Sequence, residues 1–264
     1  MKIMQRVIWS VVFLFGITVA EAGSHKWVVF FAKDTGYTSQ AYDTREHWND
    51  LLWSIETRKK EGYEIGSLKY GTGIWFIVYN KNAGYQESFV RTVKSFDALK
   101  EVFKSEKKNG NDIVDIEYGE GNWVVVFAKY HTPKRQMLSV VRSWRDINPV
   151  IEEHWKLGYD AVDIEHGKSQ WFILLEKDSG FSDQRVSVVK HMDSLIDGIK
   201  ARWNEGYQLV NLEYGYNNWV AIYAKGVPFK KQGNMITGDW SDLNDEIKRR
   251  WNRGYHINTL AEGW

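Results

Sequence analysis

The sequence predicts an α+β fold: a closed, five-fold α/β-propeller-like ring of five 48-residue units, each with three strands and one helix. Three observations predict it. Trp27, Trp75, Trp123, Trp171 and Trp219 stand 48 residues apart without a slip, which marks one supersecondary unit copied along the chain. Gly62, Gly110, Gly158, Gly206 and Gly254 recur at the same step. The two ends are also complementary. Trp27 to Lys33 is a strand with no hairpin partner before it, and Gly254 to Gly263 is the partner strand with no tryptophan strand after it. Pairing them removes the free sheet edges that an open array would leave.

Each unit reads as four elements. The first strand is seen in Gly62 to Gly71, and its closing glycine (Gly71, Gly119, Gly167, Gly215, Gly263) leads into a short hairpin turn. Glycine, asparagine and serine suit such turns because they tolerate positive φ. The second strand follows at the tryptophan, as in Trp75 to Lys81 and Trp123 to Lys129. It is apolar on both faces, the pattern of a central strand buried on both sides. The third strand alternates in character, as in Gln86 to Val93, Gln136 to Arg142 and Gln184 to Lys190, and is expected nearer an edge. The helix carries apolar residues at i, i+3 and i+7: Trp48, Leu51, Ile55 in the first copy and Trp240, Leu243, Ile247 in the last. These share one face, which Trp155, Trp203 and Trp251 extend by a turn. The next unit's glycine then stops the helix.

Residues 1–22 read as a signal peptide. Lys2 and Arg6 precede an apolar run from Val7 to Val19, and Ala20-Glu21-Ala22 is a small-x-small cleavage site. That run is shorter than the roughly 20 apolar residues of a membrane span. The expected mature chain is a single domain, residues 23–264, periplasmic or secreted after cleavage near Ala22–Gly23, and a monomer without an integral membrane span. Cleavage removes Lys2, Arg6 and Glu21 and leaves basic and acidic side chains equal in number. A neutral chain without a basic stripe argues against nucleic-acid binding. With no cysteine there are no disulfides, so burial must supply stability. The 14 Trp, 14 Tyr and 12 Phe are a large aromatic payload for it.

Lys33-Asp34-Thr35-Gly36-Tyr37-Thr38-Ser39-Gln40, together with the helix endings Trp155-Lys156-Leu157-Gly158-Tyr159 and Trp203-Asn204-Glu205-Gly206-Tyr207, resembles a known repeat. It is similar to an uncharacterised tryptophan/Gly-Tyr repeat domain found behind the kinase domain of plant casein-kinase-like proteins and in bacterial proteins. The resemblance spans Trp27 to Gly263. Thr132-Pro133 and Pro228-Phe229 depart from its Gly-Tyr pair, and Ser88 stands in place of glutamine in the second unit. It implies a non-catalytic accessory or binding domain and brings no active-site residues. By unit count and element order the chain also resembles the five-fold α/β-propeller of penteins, which include guanidine-modifying enzymes and the non-catalytic translation initiation factor six. No pentein catalytic motif is present. A five-bladed β-propeller with one helix per blade is the close variant.

Two sets of residues are candidates for chemistry. Lys33, Lys81, Lys129, Lys177 and Lys225 recur in every unit, and Gln40, Gln136, Gln184 and Gln232 in four of five. On a closed ring they would form a crown of amines and amides able to hold an anionic or hydroxyl-rich ligand. The competing reading ties each of them to neighbouring backbone. On the first strand Asp115/Glu117, Asp163/Glu165 and Asn211/Glu213 alternate, so each pair shares a face. Paired carboxylates are what glycoside hydrolysis needs; repetition instead favours a structural or solvated face. The seven histidines, from His25 to His256, form no HExxH or similar metal motif. No Gly-x-Ser-x-Gly elbow, cysteine nucleophile or P-loop occurs, and no cofactor or metal is expected. Tyr37, Tyr85 and Phe181 lie in loops, where aromatic rings can stack on sugars. The expected function is a non-catalytic binding module for a protein or glycan partner, acting through loops at one mouth. The alternative is a secreted hydrolase acting on glycans through the first-strand carboxylates.

Overall fold

The structure, a computed structural model, describes residues 25–264; the expected signal segment, residues 1–22, lies outside the described residues. The described chain is a mixed α/β protein of five three-stranded antiparallel sheets, each accompanied by a helix. The first strands are β3 (Glu64–Gly71), β6 (Asp112–Gly119), β9 (Tyr159–Gly167), β12 (Gln208–Gly215) and β15 (Tyr255–Gly263). The second, tryptophan-led strands are β1 (Lys26–Lys33), β4 (Ile74–Lys81), β7 (Asn122–Tyr130), β10 (Gln170–Lys177) and β13 (Asn218–Lys225). The third strands are β2 (Ser39–Arg45), β5 (Tyr85–Val93), β8 (Arg135–Val141), β11 (Asp183–Val189) and β14 (Lys231–Thr237). The helices are α1 (Trp48–Lys60), α2 (Phe96–Lys108), α3 (Ile147–Lys156), α4 (Met192–Asn204) and α5 (Trp240–Trp251).

The sheet and the sequence repeat are offset by one strand. The orders are β2-β4-β3, β5-β7-β6, β8-β10-β9, β11-β13-β12 and β14-β1-β15. Each second strand is central, and the third strand that follows it crosses to the edge of the next sheet. The fifth sheet joins the two ends of the described chain: β1 pairs with β15 (Trp27 opposite Glu262) and with β14 (Trp27 opposite Thr237). The first strands touch in the order β3, β6, β9, β12, β15, and β15 touches β3.

The all-apolar second strand has a physical reason. Trp75, Ile77 and Tyr79 of β4 pack with α1 and with Val124 and Val126 of β7. Phe76 and Val78, from the opposite face of β4, pack with Trp27, Val29 and Phe31 of β1 and with α5. A strand that serves two cores alternates between them, so both faces must be apolar. The helix stripe behaves as its spacing predicts: Leu51, Leu99, Ile147, Leu195 and Leu243 are all buried. In the third unit the helix begins only at Ile147, after a 3₁₀ turn over Trp144–Asp146. Pro149 lies within the next turn and has no N–H to give to that turn. Gly62, Gly110, Gly158, Gly206 and Gly254 follow the helices with φ between 75° and 86°, the left-handed stop that glycine adopts without a Cβ clash.

Each first strand carries a bulge that the alternation did not predict. The pairing slips at Gly66, Val114, Val162, Val210 and Asn258, again 48 residues apart. The bulge keeps Ile113 and Ile116 in the same core. It thereby turns Asp115 and Glu117 away from that core, towards the neighbouring first strand.

Candidate functional site at the inner strands

The recurring glutamines sit on third strands and reach across to the first strand of the adjacent sheet. Gln184 Oε1 accepts from the Ala161 N–H (2.9 Å) and the Trp155 indole (2.8 Å), while its Nε2 donates to the Ala161 carbonyl at 2.6 Å. Gln232 does the same with Leu209 and Trp203, and Gln136 with the Ile113 backbone. Gln40 does it with Ile257 and Trp251, with a further bond to Asn80. The target is always the residue just before the bulge, where the ladder is interrupted. The separation is 23 residues for Gln136, Gln184 and Gln232, and 217 for Gln40, which is the five-unit length less 23. In the second sheet Ser88 Oγ accepts from the Ile65 N–H at 2.8 Å, and the Tyr85 hydroxyl donates to the Ile65 carbonyl at 2.6 Å. Two residues there replace one glutamine. The amides expected in a ligand crown are engaged inside the protein.

Four of the lysines end the second strands, and Lys129 stands one residue before the end of its own. Lys81, Lys177 and Lys225 place Nζ 4.5, 4.7 and 4.4 Å from the ring centroids of Tyr63, Tyr159 and Tyr207, and Lys33 lies 5.7 Å from that of Tyr255. Each tyrosine is the Gly-Tyr residue of the lysine's own hairpin. Lys129 is exposed; Asn111 occupies the tyrosine position in its unit. Two of the aromatics expected in loops turn inward: Tyr85, which instead opens β5, has its ring tilted against that of Tyr130 at 5.0 Å, and Tyr37 lies 5.8 Å from His256. Phe181 instead lines a groove of about 220 Å³ with Trp155, Asp160, Ser182, Asp183 and Gln184.

The first-strand carboxylates converge. At one repeat position, in steps of 48 residues, stand Lys69, Glu117, Glu165, Glu213 and Ala261; two residues before each stand Ser67, Asp115, Asp163, Asn211 and Thr259. The Lys69 ammonium lies 2.9 Å from Glu117, 2.8 Å from Glu165 and 2.7 Å from Glu213, one carboxylate for each of its three protons. All four side chains are buried, as are Asp115 and Asp163. The carboxylates also stitch neighbouring strands: Asp115 accepts from the Leu68 N–H (2.5 Å), Glu117 from Tyr70 (3.0 Å) and Asp163 from Ile116 (3.2 Å). Asn211 Nδ2 donates to Asp163 at 2.6 Å.

Burial dominates the electrostatics. It raises Glu117 to about 7 and Asp163 to about 6 against the pull of Lys69. Asp115 is held well above the usual range by burial and then by Asp163, and Glu165 by burial and then by Glu117 and Glu213. Burial opposes the charge on Lys69, but the surrounding glutamates outweigh it and keep the ammonium protonated far into the alkaline range. Sequence reasoning found the carboxylates and missed Lys69, whose signal was a single basic residue at a repeat position otherwise filled by glutamate and alanine.

The profile of a domain of unknown function (DUF7477) matches residues 116–213, from β6 to β12, two periods of the repeat. No curated protein and no solved structure matches the chain. Among the described residues no helix is long and apolar enough to cross a membrane.

Proposed function

We propose that this protein is an exported, non-catalytic binding module whose five sheets close into a propeller-like ring and which holds a protein or glycan partner at the end where the second strands finish. The observation that carries the reading is the groove at Phe181. There an aromatic ring meets the indole of Trp155 and the carboxylates of Asp160 and Asp183, beside the Lys177–Tyr159 pair. Aromatic faces with a few placed polar groups suit recognition of sugars or peptide side chains. The recurring glutamines add nothing to this reading, because their internal bonds explain their periodicity without a ligand.

The test is a thermal-shift screen of glycans and candidate partner proteins, since a ligand that binds only the folded state raises its midpoint. Phe181→Ala, and Lys81→Met with Lys177→Met, are expected to weaken the identified ligand at least tenfold. The methionines keep the apolar stem over the tyrosine and lose only a cation–π contact of about 0.5–1 kcal/mol, so the free protein's midpoint should barely move. Lost stability with unchanged binding would return these residues to a purely structural role.

The hydrolase alternative draws on the raised carboxyls at the inner strands, since acid–base catalysis uses such groups near neutral pH. Their burial weighs against it. Turnover of a glycan panel that Asp163→Asn abolishes would put it ahead.

A further inference from the structure

The inner strands gather more negative charge than they can compensate. Five carboxyls meet one ammonium: Asp115 and Glu117 from β6, Asp163 and Glu165 from β9, Glu213 from β12, and Lys69 from β3. The fifth inner strand, β15, contributes only Thr259 and Ala261 at these positions. The other titratable groups in range are His166 near Glu213 and Tyr85 near Asp115, with Glu64, Tyr37 and Tyr130 facing Tyr85. None of them adds a buried cation: burial lowers the His166 pKa and keeps the Tyr85 hydroxyl neutral. With every carboxyl ionised, four charges would stand unpaired in a seam closed to water, a large cost. The groups also bridge separate strands, so repulsion among them acts between units rather than within one.

We propose that this cluster is a proton-dependent lock on the assembly of the five units: protons shared among its carboxyls hold β3, β6, β9 and β12 together, and their loss at neutral to alkaline pH loosens the seams. One buried acceptor fits this arrangement. Asn211 Oδ1 receives no hydrogen bond, and a proton on a neighbouring carboxyl would supply one.

The direction of the pH dependence follows from linkage. A carboxyl raised in the folded state binds its proton more tightly there than in the unfolded chain, where aspartate and glutamate titrate near about 4. Its contribution to stability is therefore whole below about 4 and is lost as the pH rises through about 6 to 7, the values for Asp163 and Glu117. His25, His166 and His256, lowered by burial, work the opposite way: their contribution is whole above their ordinary value of 6.5 and is lost as the pH falls below it through their lowered folded values. The informative comparison is thus between the wild-type chain and variants of the cluster.

Thermal unfolding of the full chain is measured at about pH 5.5 and about pH 8, with Glu165→Gln, and with Asp163→Asn as the second variant, since each amide imitates the protonated acid. The wild-type midpoint should fall across this interval by about 4 °C more than that of a folded variant. Independently, infrared spectra of the native protein should retain a protonated-carboxyl band at about pH 6, where ordinary carboxyls are ionised. Equal falls in wild type and variants, or a native spectrum without that band, overturn the proposal.

Discussion

Gly119 has no room for a side chain. A Cβ there would lie 2.5 Å from Tyr70 Cγ and 2.6 Å from Trp75 Cζ2, both in the preceding sheet. Gly71, Gly167, Gly215 and Gly263 stand in the same relation to Glu262, Tyr118, His166 and Tyr214. None of these five has positive φ; that conformation falls to the turn residues beyond them, such as Thr72-Gly73 and Tyr216-Asn217. The period revealed the glycines, but a single copy of the unit did not reveal why they recur, because the clash is with a neighbour. Gly119→Ala is therefore expected to cost about 1–3 kcal/mol through forced displacement of packed rings. Asn217→Gly, which only relieves a left-handed backbone, should be neutral or slightly stabilising. Urea unfolding distinguishes the two. Lys69 teaches the same lesson: its identity was plain in the sequence, and the three glutamates that explain it lie in three other units.

The seam between sheets rests on one device, a clamped bulge, with glutamine as the clamp at four seams and Ser88 with Tyr85 at the fifth. Gln184 satisfies both backbone groups of Ala161 and the Trp155 indole. Gln184→Ala should leave these groups unpaired and cost about 2–4 kcal/mol, more than one buried polar group left alone. Hydrogen exchange at the Ala161 amide should accelerate relative to the rest of β9. Element order, the helix face and the central second strand were all legible, because periodicity reports which side of an element is apolar. The bulges were not, since one extra residue in a strand leaves composition unchanged. The offset of sheet and repeat was hidden for a similar reason: a third strand that pairs forward reads the same along the sequence as one that pairs back.

At the scale of the molecule, the fifth sheet differs from the other four only in being assembled from both ends of the described chain. Lys26 faces Gly263 as Ile74 faces Gly71, and the rings of His25 and Trp264 meet where the other units have a two-residue turn. A permuted chain should therefore fold: an Asn-Gly link in place of Trp264 and His25 makes the fifth hairpin covalent, and new ends between Lys168 and Ser169 open the third. Its circular dichroism should match that of the parent, with a midpoint within about 5 °C. A collapsed or aggregated permutant would show that the terminal pairing is not equivalent to a turn. The complementary ends were visible from the start, as two strands each missing its mate.

That terminal pairing also sets an order of events during synthesis. Val28 to Ala32 are wholly enclosed in the finished protein, yet their partners in β14 and β15 lie at the far end of the described chain and are made much later. A greasy ribbon must therefore wait, unpaired, until the strands from β2 to β13 have been made. Such an interval invites capture by other chains, so overexpression without an attendant chaperone should yield inclusion bodies seeded by this one segment.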